Sequence, residues 1–202
     1  MMRVTEATPG RLKHHEDPGQ LKAVLLANIM ERETGFKDDQ IDASPEWGVS
    51  ARMLVHDRPK LRAKMCDIGF DFEHDITGDL LSSTPRQDGA ELIDLNLWQP
   101  FPWGQFGKGL AHKLFDLAAF MGPQTAIRLV QRSCRAFERP VEITGVLCPK
   151  SAGVIRCLEQ DYGNLSIITT LKAEAAGLWR TLVAIEPDLE PFANGWLKRA
   201  YF

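Results

Sequence analysis

A mainly α-helical protein is what this sequence predicts, and three observations predict it. Apolar residues recur three and four apart through most of the second half, proline and glycine punctuate those runs at helix boundaries, and strand-like alternation is confined to two short stretches. The second half therefore reads as a helical bundle, with at most a short β-hairpin in the chain as a whole.

Residues 1–17 have no period and contain Pro9-Gly10, as a mobile arm or loose cover would. Asp17-Pro18 then starts a helix, with Asp as N-cap and Pro at the first helical position. Leu21, Val24, Leu25 and Ile29 give that helix its apolar stripe to about Thr34, and Gly35 stops it. Residues 36–45 form an acidic, turn-rich loop with Asp38, Asp39 and Asp42. A short helix is expected from Val49, and another after Pro59 carries the basic run Lys60-Leu-Arg-Ala-Lys64. Gly69, Gly78, Pro85 and Gly89 break any long element between Cys66 and Asp88, after which residues 91–97 look helical.

The elbow Trp98-Gln-Pro-Phe-Pro-Trp-Gly104 marks the junction of two halves, 18–103 and 104–202, expected to pack as one unit. Beyond it, Phe106 to Phe120 carries Leu110, Leu114 and Leu117 on one face. Met121-Gly-Pro123 turns the chain into a second helix with Ala126, Ile127, Val130, Cys134 and Phe137, closing a helical hairpin. Pro149 opens a helix through Ala152, Ile155 and Leu158. The longest run, Leu165 to Ile185, presents Ile168, Leu171, Ala175, Leu178, Leu182 and Ile185 as a continuous seam, expected to pack within the chain because no second heptad array exists. Pro187 and Pro191 end it before a short last helix over residues 192–199, anchored by Trp196. The strand signals are Val141-Glu-Ile-Thr144 and Ile76-Thr77.

Composition narrows the function classes. In 202 residues, 44% hydrophobic and 25% charged, there is enough apolar material for a real core. A formal charge of -3 offers no basic footprint, so nucleic acid is not an expected partner. Cys66, Cys134, Cys148 and Cys157 form no CxxC pair, and the five histidines are scattered, so no metal or other cofactor is indicated. Cys134 and Cys157 sit in apolar runs and read as small core residues. Residues 1–20 are polar and lack a signal-peptide core, and no apolar run reaches the ~20 residues of a membrane span. Synthesis in the cytoplasm is expected, with delivery by another component if the substrate lies outside.

The stretch that carries chemistry is Glu33-Thr-Gly-Phe36 and the acidic loop after it. A glycosidase needs one carboxylic acid to protonate the leaving oxygen and a second carboxylate to activate water or support an oxocarbenium-like transition state. Glu33, at a helix end near Phe36 and Trp47, suits the acid, because apolar surroundings raise a carboxyl pKa. Asp42 suits the second group. A separation of ~6.5 to 9.5 Å would give inversion and ~5 to 5.5 Å retention. Glu31 is a rival acid, about 200° around the helix from Glu33. Ser50 and His56 lack the glycine pattern of a nucleophile elbow. Trp98, Phe101 and Trp103 are either sugar-stacking rings or core packing at the elbow. Arg128, Arg132 and Arg135 recur on one helix, as a solvated face or as partners for peptide carboxylates.

Glu33-Thr-Gly-Phe36 resembles the Glu-Gly-Gly-Tyr motif of the phage-endolysin-like muramidases of glycoside hydrolase family 108. Asp39 and Asp42 match that family's acidic loop, and Trp47-Gly-Val-Ser50 matches the segment that closes it. In the second half, Gly109-Leu-Ala-His-Lys-Leu-Phe-Asp116, Met121-Gly-Pro123, Ala126-Ile-Arg-Leu-Val-Gln-Arg132, Gly145 with Pro149, and Gly195-Trp-Leu-Lys-Arg199 resemble its successive signatures in order. Thr34 stands where the family has a glycine, the loop before Gly48 is shorter, and Ser44 takes the place of a threonine hydroxyl.

The resemblance implies a lysozyme-like catalytic half over 18–103 and a peptidoglycan-binding-like helical half over 104–202. The implied reaction is cleavage of the β-1,4 bond between N-acetylmuramic acid and N-acetylglucosamine, with Glu33 as general acid and Asp42 as second carboxylate. Phe36, Ser44, Trp47 and Ser50 are the implied glycan contacts, and Trp98 and Trp103 would join them on the stacking reading of the elbow. Peptidoglycan strands are the expected partner, acted on in the periplasm or wall after release through a holin-like pore. A secreted antibacterial effector with an immunity protein fits the same residues. The altered loop keeps a second function open, a non-catalytic wall-binding or structural protein of the same fold.

Overall fold

A computed structural model of the chain describes residues 18–32, 59–70 and 94–201. Among these residues the protein is mainly α, with seven α-helices and no strand. The helices are α1 (Pro18–Arg32), α2 (Pro59–Asp67), α3 (Lys108–Met121), α4 (Pro123–Ser133), α5 (Pro149–Tyr162), α6 (Asn164–Ile185) and α7 (Glu190–Tyr201). Short 3-10 turns at Trp103–Gln105, Cys134–Phe137 and Pro187–Leu189, and one π turn at Asp94–Trp98, join or extend them. The helices expected after Pro18, after Pro59 and from Phe106 onward are present, proline opening α1, α2, α4 and α5 where its fixed φ suits the first turn, whereas the described part of the stretch expected to be helical over 91–97 forms only the π turn. The short helix expected from Val49 and the strand signal at Ile76-Thr77 lie outside the described residues.

Helix α3 lies at the centre. From Leu110 to Met121 only His112 is more than marginally exposed, because α1, α4, α6 and the elbow each cover part of its surface. A helix apolar on nearly every side belongs in a core. Gly122, with φ 87, makes the sharp corner from which Pro123 starts α4, completing the expected hairpin. Helix α6 buries Leu171, Ala175, Leu178 and Leu182 against α3, α4, α5 and α7, so its seam is filled from within the chain. Trp196 anchors α7 as expected, 5.4 Å from Trp179 and stacked on Phe192. One apolar cluster runs through the described residues, from Leu25 of α1 and Leu61, Met65 and Phe70 around α2 to Ala200 of α7.

On α1 the buried stripe is narrower than expected. Leu25 is buried and Leu21 and Leu26 are partly so, whereas Val24 is exposed. An ion pair of 2.7 Å between Lys22 and Asp94 ties this helix to the π turn. Burial alone would push the Asp94 carboxyl up, but hydrogen bonds from Lys22 and Gln99 outweigh it and hold the group below its ordinary range.

Two expectations are corrected. Residues 141–144 are not a strand: no strand is present among the described residues to pair with them, and the Thr144 N–H is taken by a side chain, Gln131. Cys157 is exposed rather than part of the core, because the buried face of α5 is formed by Ala152, Ile155 and Leu158 and residue 157 falls outside it. Cys134 is buried as expected, and burial pushes its thiol up to about 11. All four cysteines are free.

Candidate functional site

Of the residues expected to act on a glycan, Glu33, Phe36, Asp42, Ser44, Trp47 and Ser50 lie outside the described residues, as does the side chain of the rival Glu31. Trp98 and Trp103 are described, and both belong to an aromatic cluster. Trp103 is 1% exposed, lies 5.1 Å from Phe101 and 6.0 Å from Phe115, and donates its ring N–H to the Leu97 carbonyl at 2.5 Å. It presents no ring face to solvent, so core packing is the role its geometry carries. Trp98 is half-buried, edge-on to Phe115 at 5.6 Å.

A concave feature among the described residues is an open cleft of about 470 Å³ between the end of α2 and the α4–α6 pair. Its lining comes from three separated parts of the sequence: Ile68 and Phe70, Arg132, and Ala173 to Thr181. The α2 terminus is built to present Phe70. Gly69 takes φ 88 and donates its N–H to the Cys66 carbonyl, while the Phe70 N–H returns to Met65 O at 2.9 Å. This is the paired bonding of a Schellman stop, in which a left-handed residue is required and glycine adopts it without steric penalty. Arg132 then sets its guanidinium over the Phe70 ring, 5.6 Å from the centroid, and donates from Nε to Glu174 Oε2 at 2.8 Å.

Both members of that pair are about a third exposed, at 38% and 32%, so they face the cleft rather than the core. Arg132 belongs to the arginine set that the sequence leaves open as a solvated face or as partners for peptide carboxylates. Phe70 and Glu174 carry no such signal, although Ala173, Gly177 and Thr181 at intervals of four are a legible sign of a shallow groove on α6.

Elsewhere among the described residues, buried polar groups fix the helices. Arg199 pairs with Asp116 at 3.3 Å and lies over the Phe120 ring at 4.2 Å. Lys113 donates to the Arg199 carbonyl at 2.5 Å and lies 3.5 Å from Asp116. Burial lowers the Lys113 ammonium to about 8 despite the nearby carboxylate. Gln131 spans the 138–148 connection: its Oε1 accepts from the Thr144 and Gly145 N–H groups at 3.0 Å, and its Nε2 donates to Val146 O at 2.9 Å. Arg128 packs over Gly145 so closely that a Cβ there would meet its guanidinium at 3.2 Å. Segments set apart in sequence thus lock together, Asp116 with Arg199 and Arg128-to-Gln131 with Gly145. Among the described residues no group of His, Cys, Asp or Glu is placed to hold a metal ion, and no helix is long and apolar enough to cross a membrane.

The fold has a solved counterpart. Brucella abortus SagA matches over 91% of this chain and 91% of its own, with a TM-score of 0.57 and 16% sequence identity. At that identity the likeness shows a shared fold. No family model matches the chain, and no curated protein matches its sequence.

Proposed function

We propose that this chain is a peptidoglycan hydrolase, an N-acetylmuramidase in which Glu33 protonates the glycosidic oxygen and Asp42 supplies the second carboxylate. In this reading residues 18–103 form the catalytic half, with Phe36, Ser44, Trp47 and Ser50 along the glycan. Residues 104–202 form the half that holds the wall. The protein would act in the periplasm or wall, after release through a holin-like pore or secretion as an antibacterial effector.

The observation that supports the reading most is the behaviour of the residues that resemble the muramidase signatures. Asp116 closes one signature and Arg199 closes another, and they form a buried ion pair. Gln131 in a third bonds Gly145 in a fourth. Residues that look like a family's successive signatures therefore also hold one another in place, which chance resemblance does not require. Helix α1, which Glu33 directly follows in sequence, is seated on the core through Leu25 and tied by Lys22 to Asp94. A general acid needs such a fixed support.

Thr34 in place of glycine and the shortened loop favour a second reading, a wall-binding protein of this fold without turnover. Purified protein incubated with insoluble peptidoglycan separates the two. Clearing, new reducing ends and loss of both in a folded Glu33→Gln variant are the outcomes the hydrolase predicts. Sedimentation with the wall and no new reducing ends leaves only the binding function. Unchanged lysis by Glu33→Gln removes Glu33 from the mechanism.

A further inference from the structure

We infer that the cleft between Phe70 and α6 binds the free amino-acid end of an uncrosslinked peptidoglycan stem peptide. The carboxylate would pair with Arg132 and the ammonium with Glu174. The inference rests on the reading that this protein meets peptidoglycan, and it adds a second ligand class, peptide rather than glycan, at a site distant in sequence from Glu33.

Gly177 provides the first argument. It lies in the interior of the 22-residue helix α6, where glycine costs roughly 1 kcal/mol relative to alanine. A Cβ built there would meet nothing within 4 Å, so no packing neighbour among the described residues demands the missing side chain. Ala173 and Thr181 lie one turn to either side. The Thr181 hydroxyl is turned back to the Gly177 carbonyl at 2.9 Å, which leaves the floor of the cleft low and largely apolar. The consequence of glycine at 177 is therefore room over the helix backbone for something that is not part of the described chain.

The walls state what that something is. Ile68, 43% exposed, and Leu178 offer contact to a short aliphatic chain. Arg132 commits Nε to Glu174, and its two Nη groups have no hydrogen-bond partner among the described residues, which leaves their donors for a carboxylate in the fork geometry that guanidinium favours. Glu174 uses Oε2 for Arg132 and keeps Oε1 as an acceptor for an ammonium.

Other occupants fit less well. A phosphate or polyanion would be repelled by Glu174, and an apolar helix would bury both charges without new partners, which is costly. A neutral sugar would leave the charges unused. A carboxylate and an ammonium on one carbon, at the end of an aliphatic chain, satisfy every group. That is the distal end of a diamino acid such as diaminopimelate in an uncrosslinked stem. Crosslinking acylates this amine and removes its charge, so the cleft would select uncrosslinked stems.

The test uses the whole protein and calorimetric titration with free alanyl-γ-glutamyl-diaminopimelate, beside the same tripeptide acetylated on the distal amine. Saturable binding of the free tripeptide is expected, with about tenfold or greater loss on acetylation, in Arg132→Gln and in Glu174→Gln, as for bonds to charged groups. Gly177→Leu, which meets open space, should unfold at or above the wild-type temperature and bind no tripeptide. No binding by the wild type, equal binding of the acetylated peptide, or wild-type binding by a folded Gly177→Leu would each overturn the inference. Wall clearing is measured on the same preparations. Clearing without tripeptide binding sinks the cleft and spares the hydrolase, whereas tripeptide binding without clearing does the reverse.

Discussion

The backbone N–H of Gly107 donates to Glu159 Oε1 at 2.9 Å, which joins the start of the central helix to the α5–α6 corner through one buried carboxylate. Asn164 Nδ2 donates to the same oxygen at 3.0 Å. Burial pushes the Glu159 carboxyl up to about 7, the Gly107 hydrogen bond offsetting only part of that rise.

A carboxyl with a raised folded-state pKa holds its proton more tightly in the native protein than in the unfolded chain. Its stabilising contribution is complete below the unfolded value near 4.5 and is lost as pH climbs through about 7. Glu159→Gln keeps a carbonyl acceptor for Gly107 and Asn164 and cannot ionise. The variant should lose less stability between pH 6 and pH 8 than the wild type, by on the order of 1 kcal/mol, read from urea melts at the two pH values.

Asp116 pairs with both Lys113 and Arg199 in the core. Asp116→Ala removes a carboxylate from beside two buried cations, and the expected loss is about 3–5 kcal/mol in chemical denaturation. Replacing Arg199 by Met in the same background should recover part of it, since the apolar chain still packs on Phe120 and one buried positive charge is gone.

Gln131→Ala removes the acceptor for the Thr144 and Gly145 amides and the donor to Val146. The expected cost is about 1–3 kcal/mol. Amide hydrogen exchange should show faster exchange at residues 144 and 145 than in the wild type, while α3 stays protected.

Gly177→Ala adds a methyl group to open space on α6, so the helix gains propensity without a clash. An increase of roughly 0.5–1 kcal/mol in unfolding free energy is expected. A decrease would show that position 177 is sterically restricted.

The helical elements were legible because each follows from local pattern. Leu110, Leu114 and Leu117 define one face of α3, and Pro123 and Pro149 mark starts where the chain does turn into α4 and α5. What sequence alone missed depends on partners distant along the chain. Val141-Glu-Ile-Thr144 has strand-like alternation, but its last amide, at Thr144, is bonded by a glutamine on α4 that no local rule connects to it. Val24 and Cys157 look apolar in their runs and fall on outward faces, because the neighbouring helices cover a narrower arc than the pattern suggests. The Arg132–Glu174 pair over Phe70 needs three segments to meet, and only Arg132 stood out as a binding residue in the sequence. Trp103 admitted both stacking and packing, and its bond to Leu97 O and 1% exposure favour packing.

Trp179 and Trp196, 5.4 Å apart with ring planes at 43°, belong to different helices. Two indoles this close and inclined share their electronic transitions, so the native protein should give an exciton couplet in circular dichroism that vanishes when α7 leaves α6. The chain thus carries an intrinsic optical gauge of whether its C-terminal helix is docked, readable in stopped flow without any attached dye.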